Sequence, residues 1–137
     1  MEIKDIRAGL AAACRTVIDD TGAQLEASPF VPDSIDPPWA YAGETVGTYD
    51  VAMDGLSDAT VTLRVITSRN DDQRGQELLD AFLASFGSTS VKAAVEADPT
   101  LGGECSDLQV SGWSGYQMYD IAGTPYYGAE LTVAVLA

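Results

Sequence analysis

Between Ala59 and Thr67 the chain reads ATVTLRVIT, with Val61, Leu63 and Val65 alternating with Thr60, Thr62 and Arg64. A repeat of two is that of a strand with one face buried, because successive side chains leave a strand on opposite sides. The closing residues, Tyr126 to Leu136, end in a second apolar alternation from Leu131 onward. Two such segments commit the chain to a sheet with one face turned to a core, and the remaining elements must cover that face.

The covering elements are legible as helices. Ile3, Ile6, Leu10, Ala13, Cys14, Val17 and Ile18 recur at spacings of three and four, which predicts a helix over Ile3 to Asp19 that ends at Gly22. Asn70 followed by Gln73 resembles a capping box, and Asp71 and Asp72 suit the positive end of a helix dipole. Leu78, Leu79, Phe82, Leu83 and Phe86 mark the buried face of that helix, which ends near Gly87, and a shorter helix fits Ser90 to Ala97, stopped by Pro99.

Between these lie shorter extended pieces. A strand is expected at Gln24 to Ala27, and Ser28 to Pro38 reads as an ordered extended crossing, since Pro32, Pro37 and Pro38 restrict themselves and their predecessors. Trp39, Tyr41 and Val46 to Met53 fit two short strands separated by a turn at Gly43, with a loop from Asp54 to Asp58. After the turn at Gly102 and Gly103 come strands at Ser106 to Gly112, Tyr116 to Ile121 and Tyr126 to Leu136. The order predicts an α+β fold: one domain over residues 1–137, a largely antiparallel or mixed sheet, and helices packed on one of its faces.

With 137 residues, 46% of them apolar, the chain can bury a core without metals or disulfides. Its formal charge of −14 arises from 21 acids and 7 bases, and from Ala93 to Ala137 there are six acids and no Lys or Arg. That balance argues against attractive binding to nucleic acid, because phosphate contacts need clustered cations. An acidic surface also keeps a small protein soluble. Cys14 and Cys105 are too few and too far apart for a disulfide framework or a zinc site, and Cys14 lies on the apolar helix face as a buried free thiol. The opening residues lack the basic start and long apolar run of a signal peptide, and no segment reaches the roughly 20 apolar residues of a membrane span. A soluble cytoplasmic chain with no membrane contact is the expectation.

Chemistry is sparse. Without a single histidine, the chain has no Ser-His-Asp or Cys-His catalysis and no histidine-bound zinc. It also lacks the glycine-rich phosphate loops. Carboxylates pair at Asp19/Asp20, Asp33/Asp36 and Asp71/Asp72, but Asp54 to Asp58 lacks the alternating ligands of a calcium loop, and helix capping accounts for Asp71 and Asp72. No catalytic residue, cofactor or metal is therefore assigned, although weak Mg²⁺ binding between subunits stays open. Aromatic residues are the better candidates. Trp113, Tyr116, Tyr119, Tyr126 and Tyr127 crowd the final hairpin, and Trp39 and Tyr41 follow the proline-rich crossing. Packing within the domain and use at a subunit interface both suit Tyr and Trp, and Trp39, Tyr41, Trp113 and Tyr116 are taken as candidate interface anchors.

Laid out in order, the pieces carry a resemblance. Asp98, Leu101, Gly102 and Gly103 form an Asp-x-x-Leu-Gly-Gly turn after a short helix, followed by Tyr116, Tyr119, Gly123, Tyr126 and Gly128 and the alternating strand Leu131 to Leu136. Upstream stand Val31, Pro32, Asp33, Pro37 and Pro38, and then Arg69, Asp72 and Gln73. The series resembles the small tail-terminator and neck proteins of long-tailed bacteriophages. The resemblance implies a structural virion protein and not an enzyme. In that role a ring, generally of six copies, caps the tail tube, stops its polymerisation and offers a docking surface to the head. Its implied partners are further copies of itself, the tail-tube protein and a head-closure or neck protein, with DNA passing through the lumen unbound. A head-closure or adaptor protein, a tail-tube subunit and, from another class, a small acidic ligand-binding domain are the alternatives.

Overall fold

The elements of the computed structural model run α1 (Ile3–Cys14), β1 (Glu26–Ser28), β2 (Trp39–Tyr49), β3 (Leu56–Arg69), α2 (Gln73–Phe82), α3 (Val91–Glu96), β4 (Asp107–Ile121) and β5 (Thr124–Leu136). The structure describes residues 2–18, 22, 24–33, 38–49, 56–69, 73–121 and 123–136. The expected Asp19/Asp20 and Asp71/Asp72 pairs, the Asn70 cap, Asp36, Pro37 and the stretch 50–53 of the predicted second strand lie outside them.

The strands form one sheet in the order β1-β2-β3-β5-β4, with β1 parallel to β2 and every other pair antiparallel. This is the α+β fold with a mixed sheet that the element order predicts. Val61, Leu63 and Val65 of β3 stand opposite Val133, Leu131 and Ala129 of β5, and all six are buried. On this face they meet Ile6 and Leu10 of α1, Leu79 and Phe82 of α2, and Val91 and Val95 of α3 in one apolar cluster. Each fully buried aliphatic side chain here contributes about 1.5–3 kcal/mol relative to exposure. The three helices therefore pack on one face, and the alternation of β3 and β5 is what selects it.

Several boundaries differ from expectation for local reasons. Helix α1 stops at Cys14, five residues early. The β-branched run Thr16, Val17 and Ile18 favours helix poorly, and the Thr16 hydroxyl donates to the Ala13 carbonyl at 2.6 Å. The backbone tightens, with Thr16 N donating to Ala13 O and Val17 N to Cys14 O, and then turns back so that Leu25 N donates to Val17 O. Val17 is still fully buried, so the periodicity located a core residue beyond the helix that holds it.

Helix α2 ends at Phe82, and Phe86, expected on its buried face, is 82% exposed. The Thr89 and Ser90 hydroxyls donate to the carbonyls of Ala81 and Ala84 at 3.3 and 2.5 Å, diverting the chain before Phe86 could face inward. Ser90 then caps α3, its Oγ accepting from Ala93 N at 3.0 Å.

Two expected pairs of strands are single strands. β2 continues through Gly43 by a bulge between Ala42 and Thr45, which Arg7 pins by donating to the Thr45 hydroxyl at 2.8 Å and the Gly43 carbonyl at 3.4 Å. β4 runs unbroken from Asp107 to Ile121 through irregularities at Val110/Gly112 and Ser114/Gln117. Residues Leu56 to Asp58, expected in a loop, begin β3.

Candidate interaction surface

The Asp98 turn sets where β4 begins. Asp98 accepts from Thr100 N at 3.3 Å, the Thr100 hydroxyl at 3.1 Å and Gly102 N at 2.8 Å, and Leu101, Gly102 and Gly103 all take positive φ. Left-handed backbone suits glycine, and the buried Leu101 accepts it while packing toward Gly9 of α1. From this turn the chain enters β4, the last strand of the sheet, whose outer side has no strand partner among the described residues. One point of that edge is covered: Glu96 of α3 accepts from Val110 N at 2.9 Å while Lys92 donates to its other oxygen. Partial burial opposes ionisation of Glu96, but the hydrogen bonds from Lys92 and Val110 outweigh it and hold the carboxyl below its ordinary range.

The four aromatic candidates fall in different environments. Trp113 stands opposite Leu131, on the helix-bearing face, and is 53% exposed. Tyr116 lies beside it, ring centroids 6.2 Å apart, and donates its hydroxyl to the Gln76 carbonyl of α2 at 3.2 Å. Burial and the nearby Asp80 carboxylate push the Tyr116 phenol up to about 12, so it stays protonated. Met118, which sequence reasoning did not single out, is 37% exposed opposite Tyr127 and extends the same patch. Trp39 is half-buried on the other side of the sheet and donates its indole N–H to the Ser28 hydroxyl at 3.3 Å.

Tyr41 is different: at 1% exposure it offers nothing to a neighbouring subunit. With Ile66, Tyr119, Ile121 and Tyr126 it forms a second cluster, on the sheet face opposite the helices. At its centre Arg64 donates to the Tyr41 hydroxyl at 2.9 Å and pairs with Glu130 at 3.3 Å, its guanidinium 4.3 Å from the centroid of Tyr119. Burial works against the charge of Arg64, and the hydrogen bond to Tyr41 and the Glu130 carboxylate more than restore it. The signal was present in the sequence: Arg64 interrupts a polar row of threonines on β3, and Glu130 holds the matching place between Ala129 and Leu131 on β5.

Charge follows the same division. Arg7, Arg15, Arg64 and Lys92 are all spent on partners within the chain. Exposed acids include Glu44, Asp58, Asp80, Glu104, Asp107 and Asp120. The negative balance is thus displayed outward, while these four of the seven cations are held by partners within the chain. Among the described residues no three His, Cys, Asp or Glu side chains are gathered as metal ligands, and no helix is long and apolar enough to cross a membrane. A shallow cleft of about 440 Å³ between α1 and α3 is lined mainly by Ala and Gly, and the Asp98 carboxylate at its rim is engaged in its own turn. Cys14 is buried, and burial pushes its thiol up to about 12.

No protein-family model matches this chain, and no curated protein matches its sequence.

Proposed function

We propose that this chain is a structural protein of the head–tail junction of a long-tailed phage. In this reading it forms a ring, of six copies, that caps the completed tail tube, ends its growth and receives the head. The observation that carries the reading is the exposure of large apolar side chains along two separate margins of one sheet. On the β1–β2 side, Phe30, Val31, Val46 and Tyr49 are 60, 62, 59 and 80% exposed. On the β4 side, Trp113 and Met118 are exposed and Tyr116 is half-buried. A subunit with one neighbour needs one such margin, whereas a ring subunit that also meets a tube and a neck protein needs several.

The outward acid excess supports the same reading. A ring of such subunits repels phosphates of like sign, which lets DNA pass without adhering. Trp39, with the β1–β2 margin, serves the contact between copies, and Trp113 and Tyr116 serve another neighbour. Native mass spectrometry of the purified protein tests the proposal. A discrete closed ring, alone or on addition of tail-tube protein, is expected. Open polymers growing with concentration would indicate a tube subunit instead, and a monomer under every condition would overturn the reading.

A further inference from the structure

We propose that the outer edge of β4, from Ser111 to Asp120, is a docking strand for an extended segment of another protein that carries apolar residues and a Lys or Arg at the end that meets Asp120. Sheet order gives this edge no strand partner among the described residues; Glu96 closes it at Val110, and the Tyr119 hydroxyl donates to the Gly115 carbonyl at the irregularity within it. Of the usual guards of a free edge, the β4 sequence DLQVSGWSGYQMYDI has neither lysine nor proline, and the irregularity at Ser114/Gln117 is the one guard within Ser111 to Asp120. The contrast with the free part of β2 is direct: there Arg7 reaches across to Gly43 and Thr45. Strand addition supplies main-chain hydrogen bonds, and alternate side chains of the incoming segment select the site. Trp113, Tyr116 and Met118 provide apolar contact beside the edge.

The charge around the edge decides the partner. Asp120 is exposed at its end and Asp80 stands beside Tyr116, while Glu104 and Asp107 lie upstream of Ser111, where Glu96 at Val110 is already paired with Lys92. No Lys or Arg occurs from Ala93 to Ala137. A second copy of this chain would bring its own charge of −14 to an acidic edge, which repels it. A segment with a cation at the matching end meets the Asp120 carboxylate, and its apolar residues meet Trp113 and Met118.

The proposal does not depend on the ring reading, and its test is separate. A fluorescent peptide alternating Thr and Val with Lys at each end is titrated into the full chain by anisotropy, beside the same peptide with Glu at each end. The Lys-ended peptide is expected to bind at least about ten-fold more tightly, and its affinity to fall with added salt. Amide exchange should slow across Ser111 to Asp120. Gln117→Lys, at an exposed position of the edge whose side chain also hydrogen-bonds Tyr119, should weaken binding by at least about ten-fold in a variant that stays folded by circular dichroism. Equal binding of the two peptides, protection of a different segment, or indifference to Gln117→Lys would overturn the proposal. So would sedimentation showing an edge-to-edge dimer of this chain that Gln117→Lys dissociates.

Discussion

At the scale of single residues, a constraint enforced by backbone is Gly128. A Cβ there would stand 2.6 Å from Ile66 Cδ1, 2.8 Å from the Val65 carbonyl and 3.0 Å from Tyr119 Cδ2. A backbone oxygen cannot swing away, so Gly128→Ala must push β3 and β5 apart or expel Tyr119 from beside Arg64. The expected loss is at least about 2 kcal/mol, read as a lower denaturant midpoint. Trp113→Ala is the counterpart at the surface. With half of its area in water, Trp113 contributes little to the monomer, and the variant should stay folded with a stability change below about 1.5 kcal/mol in the same assay. Cys14 gives a chemical readout of burial. Its thiol, buried and raised to about 12, should resist alkylation at neutral pH in the native protein and react when the protein is unfolded. Labelling of Cys14 at the same rate in both states would show that α1 opens readily.

At the scale of elements, the legible parts were those whose local pattern and tertiary role coincide. The alternation of β3 and the short helix expected over Ser90 to Ala97 are local signals, and β3 and α3 stand where the sequence places them. Strand continuity was not legible in β4. Gly112 and Gly115 look like a turn in sequence, and only lateral pairing with β5 carries the chain across its two irregularities. Helix ends were misjudged for a related reason, since Thr16, Thr89 and Ser90 redirect the backbone through hydroxyl bonds that apolar spacing does not register. Of the four aromatic candidates, composition could not separate the buried Tyr41 from the exposed Trp113, because that depends on strand register and on Arg64 finding Glu130 across the sheet.

The latch between α3 and β4 gives a prediction with a sign. Glu96 has a depressed carboxyl pKa, so its stabilisation is fully present above the unfolded value of about 4.3 and disappears as pH falls through the lower folded value. Glu96→Gln should cost about 1 kcal/mol at neutral pH, measured by urea unfolding. The gap between variant and wild type should close on acidification through the carboxylate range. A gap independent of pH would mean that the contact to Val110 does not depend on charge.

At the scale of the whole molecule, the division of charge and apolar surface is what gives the functional reading its shape. The helix-covered face and the Tyr41–Arg64 cluster bind the monomer together, and what is left outside is acidic, with apolar side chains grouped at two margins and others, Phe86 among them, elsewhere. In the proposed reading those margins meet partner proteins. Tyr49→Ser is expected to leave the monomer folded, since Tyr49 is 80% exposed, and to weaken ring formation in native mass spectrometry. An intact ring in that variant would move the contact between copies away from the β1–β2 side. The central claim, that this chain ends tail growth, is tested most directly by electron microscopy of negatively stained particles from cells in which its gene carries a nonsense mutation. Overlong tails without heads are the predicted result, and normal, infectious virions would contradict it.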